Sequence, residues 1–241
     1  MRTLVWFSAG AASAVAAKLT LAVEPEAIIY YIDPGSEHED NIRFVNEAQD
    51  WFDHPIARLK SDKYADTWEV WEKRRFLVGP TGALCTAELK KRLRYQVQRP
   101  DDRQVFGYTV EEQNRADRFR NENPGVELVT PLIDKGLTKE DCLAIVDRAG
   151  IELPAMYRLG YRNNNCVGCV KGGMGYWNKI RVDFPAVYDR MAALERDIGH
   201  SINKDVGGPV WLDEMAPDRG DYPNEPAPDC SLLCAIAEDE L

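Results

Sequence analysis

Blocks of apolar and polar positions alternate along the first quarter of the chain. Leu4–Phe7 and Ala27–Ile32 are unbroken apolar runs, which are typical of parallel strands covered on both faces. The Ala-rich segment Ala11–Leu21 has helical propensity, and the apolar residues of Asn41–Phe52 recur at helical spacing. A third strand beginning near Pro55 completes the order strand–helix–strand–helix–strand. This order predicts an α/β fold with a doubly wound, mostly parallel, Rossmann-like sheet.

The hydrophobic pattern is less regular beyond residue 60. A mainly helical stretch over Trp68–Tyr95 is interrupted by glycine and proline at residues 79–82, and Gln104–Tyr108 is a candidate strand. Thr138 has the sequence context of a helix N-cap, and Pro185–Ile198 predicts a late helix. These elements extend the α/β pattern to about residue 199.

The C-terminal part of the chain differs in composition from the rest. It is rich in Pro, Gly and Asp, which is typical of a segment that forms no core of its own. We therefore divide the chain into a main domain over residues 1–199 and a cysteine-bearing tail over residues 200–241. We expect the tail from about Pro209 onward to be mobile.

Composition and charge narrow the classes of function. The 241 residues are 44% hydrophobic and carry a net charge of −10, so binding of nucleic acid by this chain alone is not expected. Without an apolar run of about 18 residues, we expect a cytoplasmic protein with no membrane partner. Six cysteines then predict reduced thiols or metal ligands rather than disulfides, with Cys142 in the core.

Two predicted strand ends carry candidate chemistry. Residues 8–13 are small and lie between the first strand and the first helix, where backbone N–H groups can approach an anion. Small residues in such a turn serve close packing equally often, so this signal alone is weak. The second strand ends in residues 33–38, which include Asp33, Glu37 and His38, at the sheet edge where open α/β folds bind ligands.

An ordered set of motifs resembles the phosphoadenylyl-sulfate (PAPS) reductase family of the PP-loop, or adenine nucleotide α-hydrolase-like, superfamily. The resemblance covers about residues 3–199, which makes residues 1–199 a PAPS reductase-like nucleotide-binding domain. The resembling elements are Ser8–Ser13, Asp33–His38, Cys85–Lys90, Gly107–Arg115, Pro131–Ile133 with Lys139, then Pro154, Tyr157, Gly160 and Cys166-x-x-Cys169.

The resemblance implies that the chain binds ATP or an adenylyl sulfate. The residues implied in nucleotide binding are Ser8, Ala9, Gly10, Ala11, Ser13, Asp33, Glu37, Lys90 and Arg115. Two loop positions depart from the family pattern, because Ala9 replaces a glycine and Ala12 replaces an aspartate. We therefore expect the loop to bind its nucleotide without the usual acidic contact.

Cys166-x-x-Cys169 places two thiolates on one Gly-rich loop, a spacing that suits either zinc or an iron–sulfur centre. The resemblance implies a 4Fe-4S cluster that also includes Cys85. The fourth ligand would come from the tail, unless one iron is left open. Cys230 and Cys234 lie in a segment similar to the tail of sulfonucleotide reductases, which implies a catalytic thiol there.

The leading hypothesis is an enzyme of sulfur metabolism that reduces or transfers sulfur with cysteine and iron–sulfur chemistry. A thiol electron donor is an expected partner, and a homo-oligomer is left open. One alternative is ATP-dependent thiolation of a nucleobase, in which sulfur displaces an adenylylated oxygen. Another is a subunit that binds a nucleotide or a cluster without catalysis.

Overall fold

The computed structural model describes residues 1–79 and 82–228. Five parallel strands form the main sheet: β1 (Thr3–Phe7), β2 (Ile28–Asp33), β3 (Ile56–Lys60), β6 (Arg103–Val105) and β7 (Glu127–Val129). Their order across the sheet is β3-β2-β1-β6-β7. Two antiparallel pairs lie outside it, β4 (Val78–Gly79) with β5 (Gly82–Ala83) and β8 (Asn203–Asp205) with β9 (Gly208–Val210). The parallel α/β sheet expected from the sequence is confirmed.

Helices connect most of the strands. They are α1 (Ala11–Val23), α2 (Asn41–Phe52), α3 (Thr67–Arg74), α4 (Leu84–Thr86), α5 (Arg92–Val97), α6 (Gln113–Glu122), α7 (Pro131–Asp134), α8 (Lys139–Arg148), α9 (Ala155–Arg158), α10 (Met174–Asp183) and α11 (Pro185–Ile198). A π-helical turn covers Ala87–Lys91, and 3₁₀ turns cover Val110–Glu112 and Leu212–Glu214. None of the helices in the described part of the chain has the length and apolar character needed to cross a membrane.

The chain divides into two compact units. The first comprises Met1–Asp33, His38–Lys60 and Leu93–Asn164, and it contains the whole main sheet. Every residue of β1 is buried, and its core neighbours come from α1, α2 and the adjoining strands. Cys142 is fully buried in this core, and burial raises the pKa of its thiol to about 12. Its predicted core position is confirmed.

An ion pair with a buried carboxylate joins the start of β1 to the start of β6. Arg2 donates from Nε and Nη2 to both carboxylate oxygens of Asp102, at 2.8 and 2.6 Å. The Asp102 side chain is 0% exposed, and Arg99 N–H donates to it as well. Hydrogen bonding from the Arg2 guanidinium lowers the pKa of the Asp102 carboxyl. The Arg2 side chain is 28% exposed, so the pair keeps the charged carboxylate inside the unit while its guanidinium lies partly at the surface.

The second unit comprises Pro34–Glu37, Ser61–Arg92 and the described residues from Asn165 onward. Its buried side chains include Trp71, Trp177 and Leu212. Leu212 N–H donates to the buried Glu195 carboxylate at 2.8 Å. Val210, Leu212 and Met215 are all buried, so the described chain after Pro209 contributes side chains to the core of this unit. The separate, mobile tail expected from the sequence stays a prediction.

Candidate functional site

The Ser8–Ser13 loop links β1 to α1 at the carboxyl edge of the sheet, with Ser8–Gly10 between the two elements and residues 11–13 in the first turn of α1. The chain runs from β1 outward to β2 and β3 on one side, and later to β6 and β7 on the other side. The order of the strands therefore reverses beside β1. Open α/β sheets bind ligands at such a switch point.

The loop is held by its own hydroxyl groups. Gly10 is the N-cap of α1, and the Ser13 hydroxyl donates to the Gly10 carbonyl at 2.9 Å. The Ser13 oxygen accepts Ser8 N–H at 3.1 Å, and the two serine oxygens are also 3.1 Å apart. Ala9 has a φ of 53°. Glycine adopts this left-handed conformation without strain, which explains the glycine in the family pattern at the position of Ala9.

Asn164 supports the loop from a distant part of the sequence. It is 6% exposed, and its Nδ2 donates to the Ala9 carbonyl at 2.6 Å and to Asn41 Oδ1 at 2.9 Å. Asn41 is the first residue of α2 and is buried. Sequence reasoning missed both asparagines, because no local pattern indicates an amide that contacts a loop so far away in the chain.

Tyr157 places a third hydroxyl beside the loop. A Cβ atom on Gly10 would lie 3.2 Å from the Tyr157 hydroxyl, 3.7 Å from Ser8 Oγ and 4.0 Å from Ser13 Oγ. The phenolic oxygen of Tyr157 interacts with backbone N–H groups of Ala11 and Asn164, and burial raises its pKa to about 12. The three hydroxyls therefore surround one glycine at a helix N-terminus, an arrangement rich in hydrogen-bond donors.

The position of Tyr157 is fixed through α9. Asp40 Oδ2 accepts Ala155 N–H at 2.8 Å at the start of this helix. Arg43 donates bidentate hydrogen bonds to the same carboxylate, and these bonds lower the pKa of Asp40 to about 2. Asp40 therefore remains ionised at any physiological pH and anchors the helix that presents Tyr157.

The ammonium group of Lys139 lies over the aromatic ring of Tyr157. Its Nζ is 5.9 Å from the ring centre, and it donates to the Arg162 carbonyl and to the Asn163 side chain. Burial lowers the pKa of Lys139 to about 8. The ammonium group remains mostly charged at neutral pH, so this part of the unit carries a positive charge.

The other residues predicted to bind the nucleotide have partners within their own units. In the first unit Asp33 ends β2 and lies 3.6 Å from Lys60 Nζ, and Arg115 pairs with Glu112 and stacks over Tyr108. In the second unit Lys90 Nζ lies 4.0 Å from Glu37 Oε1, with both side chains largely buried.

The three cysteines predicted as metal ligands all belong to the second unit. Cys85, Cys166 and Cys169 are buried, and none forms a disulfide with another of the described residues. Among the described residues, no three His, Cys, Asp or Glu side chains are grouped so as to hold a metal ion. The convergence of these thiols on one cluster is therefore not shown and stays a prediction.

Tyr176 holds the turn that carries Cys166 and Cys169. Its hydroxyl accepts Cys169 N–H at 3.0 Å and donates to the Cys166 carbonyl at 3.4 Å. Between the two thiols, Gly168 has a φ of 79°, and a Cβ there would overlap a Val187 methyl at 2.6 Å. The turn is thus fixed by one phenol and by a glycine that no other residue can replace without a shift in the neighbouring packing.

The last described residues are fastened to the same turn and helix. Glu225 accepts Gly175 N–H at 2.7 Å and Tyr176 N–H at 3.1 Å at the start of α10. Asn165 Nδ2 donates to the Pro228 carbonyl at 2.7 Å, next to Cys166 in the chain. The predicted catalytic thiols of Cys230 and Cys234 lie outside the described residues.

Comparison with known proteins identifies the fold. No protein-family model and no curated protein matches the chain. Among solved structures it is similar to PAPS reductase from Candida auris in its phosphate complex, with a TM-score of 0.53 at 12% identity, over 69% of this chain and 81% of that chain. The chain has the PAPS reductase fold.

The PAPS reductase fold agrees with the resemblance found in the sequence. The likeness covers the larger part of the chain, although only about one residue in eight is identical. Such a match reflects the arrangement of helices and strands rather than shared side chains. The chemistry must therefore be argued from the residues of this chain.

Proposed function

We propose that the protein is an enzyme that binds an adenine nucleotide, either ATP or an adenylyl sulfate, at the Ser8–Ser13 loop and uses it in sulfur chemistry. The observation that carries the proposal is the convergence of the Ser8, Ser13 and Tyr157 hydroxyls around Gly10. Hydroxyls and helix N-terminal N–H groups at a switch point are well suited to bind phosphate. The solved neighbour in fold is itself a phosphate complex.

Charged side chains would complete this site. In the proposal, Asp33 lies near the nucleotide, while Arg115 neutralises phosphate or sulfate oxygens. Arg115 faces Glu112, a carboxylate of its own unit, and would share its charge between that carboxylate and the ligand. Ser8, Gly10 and Ser13 provide uncharged donors, and the binding roles of Lys90 and Glu37, which pair within the second unit, stay predictions.

Ser8→Ala combined with Gly10→Val is expected to abolish nucleotide binding, because the valine side chain would fill the space between the three hydroxyls. Isothermal titration of ATP and of adenylyl sulfates against the parent and the variant tests this. Ser201→Ala with Gly207→Val makes the same two changes in the second unit, at a half-buried serine before β8 and in the exposed turn between β8 and β9, and should bind as the parent does. Equal binding by the loop variant would show that the loop serves packing alone.

Turnover assays distinguish a catalytic protein from one that only binds its nucleotide. Nucleotide consumption distinguishes an enzyme from a subunit that only binds, and released sulfite distinguishes reduction from sulfur transfer. The non-catalytic alternative is favoured by Ala12, which replaces the aspartate of the family pattern in the loop. Nucleotide binding without any turnover in the presence of a thiol reductant would establish that alternative.

A 4Fe-4S cluster on Cys85, Cys166 and Cys169 is the proposed cofactor. Three buried cysteines in one unit support it, and the fixed Cys166–Cys169 turn suits metal binding. When bound, such a cluster would supply electron transfer or sulfur ligation. Because the described residues do not assemble a metal-holding group, we assign no reaction step to it.

Anaerobically purified protein should be brown, and it should lose iron, sulfide and colour when Cys85, Cys166 or Cys169 is replaced by alanine. The reason is that each thiolate would hold one iron of the cluster. Cys142→Ala is the matched control, since its thiol is fully buried among apolar side chains. Colourless protein with stoichiometric zinc, or a Cys85→Ala variant with a full cluster, would contradict the assignment.

A further inference from the structure

We propose that Tyr157 is an anion-binding residue of the loop site, and that its phenol donates a hydrogen bond to a phosphate or sulfate oxygen of the ligand. The inference deepens the proposed function, since it concerns the same loop. It rests on where the hydroxyl lies, next to Gly10, Ser8 and Ser13.

The surroundings of the phenol favour its acting as a donor toward the ligand. A tyrosine hydroxyl has two lone pairs and one proton. The Ala11 and Asn164 backbone N–H groups interact with its oxygen, so the proton is what the group can offer to a further partner. Burial raises the pKa of Tyr157 to about 12, which keeps that proton in place at neutral pH. An acceptor without protons, such as a phosphate or sulfate oxygen, suits this position.

A second, independent feature of the loop also points to a ligand. Asn164 is 6% exposed, and its Oδ1 atom accepts no hydrogen bond from the described residues. Because Oδ1 shares a carbon with the Nδ2 atom that donates to Ala9, it lies beside the loop as well. Buried acceptors in native proteins are nearly always satisfied, so a ligand N–H or O–H is the expected partner.

Together these groups define a class of ligand. The hydroxyls of Tyr157, Ser8 and Ser13 can donate hydrogen bonds to an oxyanion. Asn164 Oδ1 can accept one from a donor group next to that oxyanion. A phosphorylated or sulfated nucleoside combines both, because its sugar hydroxyls lie close to the phosphate. Lys139, beside the Tyr157 ring, adds the positive charge that favours an anion over a neutral nucleoside.

The test is Tyr157→Phe, which keeps the ring and removes only the hydroxyl. Its dissociation constants for ATP, inorganic pyrophosphate and adenosine are measured by titration calorimetry. We expect a loss of about 10- to 100-fold for ATP and pyrophosphate, as for a hydrogen bond to a charged group, and no change for adenosine. Tyr30→Phe, at a ring stacked on Trp6 in the same unit, should leave all three constants unchanged.

The outcomes separate this inference from the proposed function. An equal loss for adenosine and ATP would mean that Tyr157 only maintains the fold, and unchanged or tighter ATP binding would mean that its hydroxyl does not contact the anion. Either result overturns the inference. If the parent binds pyrophosphate but no adenine nucleotide, the proposed function fails, whereas weaker pyrophosphate binding by Tyr157→Phe still supports the anion contact.

Discussion

Gly107→Ala should disrupt the nucleotide loop and destabilise the unit that contains it. Gly107 follows β6 at the switch point, and a Cβ atom there would lie 2.7 Å from the backbone N and Cα atoms of Ser13. Backbone atoms cannot move aside by changing rotamer, so the start of α1 must shift. We expect a loss of about 3 kcal/mol in the free energy of unfolding, the upper part of the range for overpacking, together with loss of nucleotide binding.

Gly125→Ala is the matched control for this variant. Gly125 belongs to the same unit, and a Cβ there meets no atom within 4 Å. Denaturant unfolding and nucleotide titration of both variants give the comparison. A Gly107→Ala protein that unfolds at the parental denaturant concentration and binds nucleotide normally would show that β6 does not pack on the loop as described.

Arg2→Met should cost about 3 kcal/mol of stability, the lower end for a buried pair because Arg2 itself is 28% exposed, since it leaves the buried Asp102 carboxylate without its cation. In the parent, the lowered pKa of Asp102 stabilises the fold at pH values above the unfolded-state pKa of about 3.9, and this contribution is lost as the pH falls through the lower folded-state value. In the variant, the buried carboxylate without its cation should instead have a raised pKa, so that it takes up a proton more readily. The deficit relative to the parent should therefore be largest near neutral pH and shrink in acid.

Arg120→Met tests whether any lost ion pair has this effect. Arg120 pairs with Asp117 at 3.0 Å in the same unit, but the two side chains are 42% and 51% exposed. Exposed pairs contribute about 0–1 kcal/mol. Urea unfolding of both variants at pH 7 and pH 4 measures the difference. A similar, pH-independent loss for Arg2→Met and Arg120→Met would contradict the argument from burial.

The elements that could be predicted from the sequence are those with a strong local pattern. The bounds of α2 and α11 agree with their predicted ranges, since apolar spacing marks one helix and Pro185 begins the other. The strand predicted over Gln104–Tyr108 is instead Arg103–Val105. Its apolar run continues beyond Val105, but there the chain approaches the loop at Gly107 rather than another strand, which no local signal shows.

The site could be predicted only where its residues are close in sequence. The Ser8–Ser13 loop has a local signature of small residues after a buried strand. The contacts of Tyr157 and Asn164 with that loop depend on how the chain returns after α8, and hydrophobic periodicity carries no information about such a return. The sequence marks Tyr157 only as part of the set of residues that resembles the PAPS reductase family, and it indicates no role for Tyr157 at the loop.

The two parts of this site are far apart in the sequence, and this separation affects the order in which they come together during folding. Asn164 reaches Ala9 across 155 positions of the chain. Contacts at such separation form late, since the intervening chain must first lose its freedom. In a nascent chain, residues 8–13 would therefore lack their contact with Asn164 until the segment around residue 164 has been synthesised and has packed against them. Nucleotide binding would then begin only when this unit has folded completely. A bound nucleotide would stabilise the unit against unfolding, because it would contact both residues 8–13 and the region around Asn164.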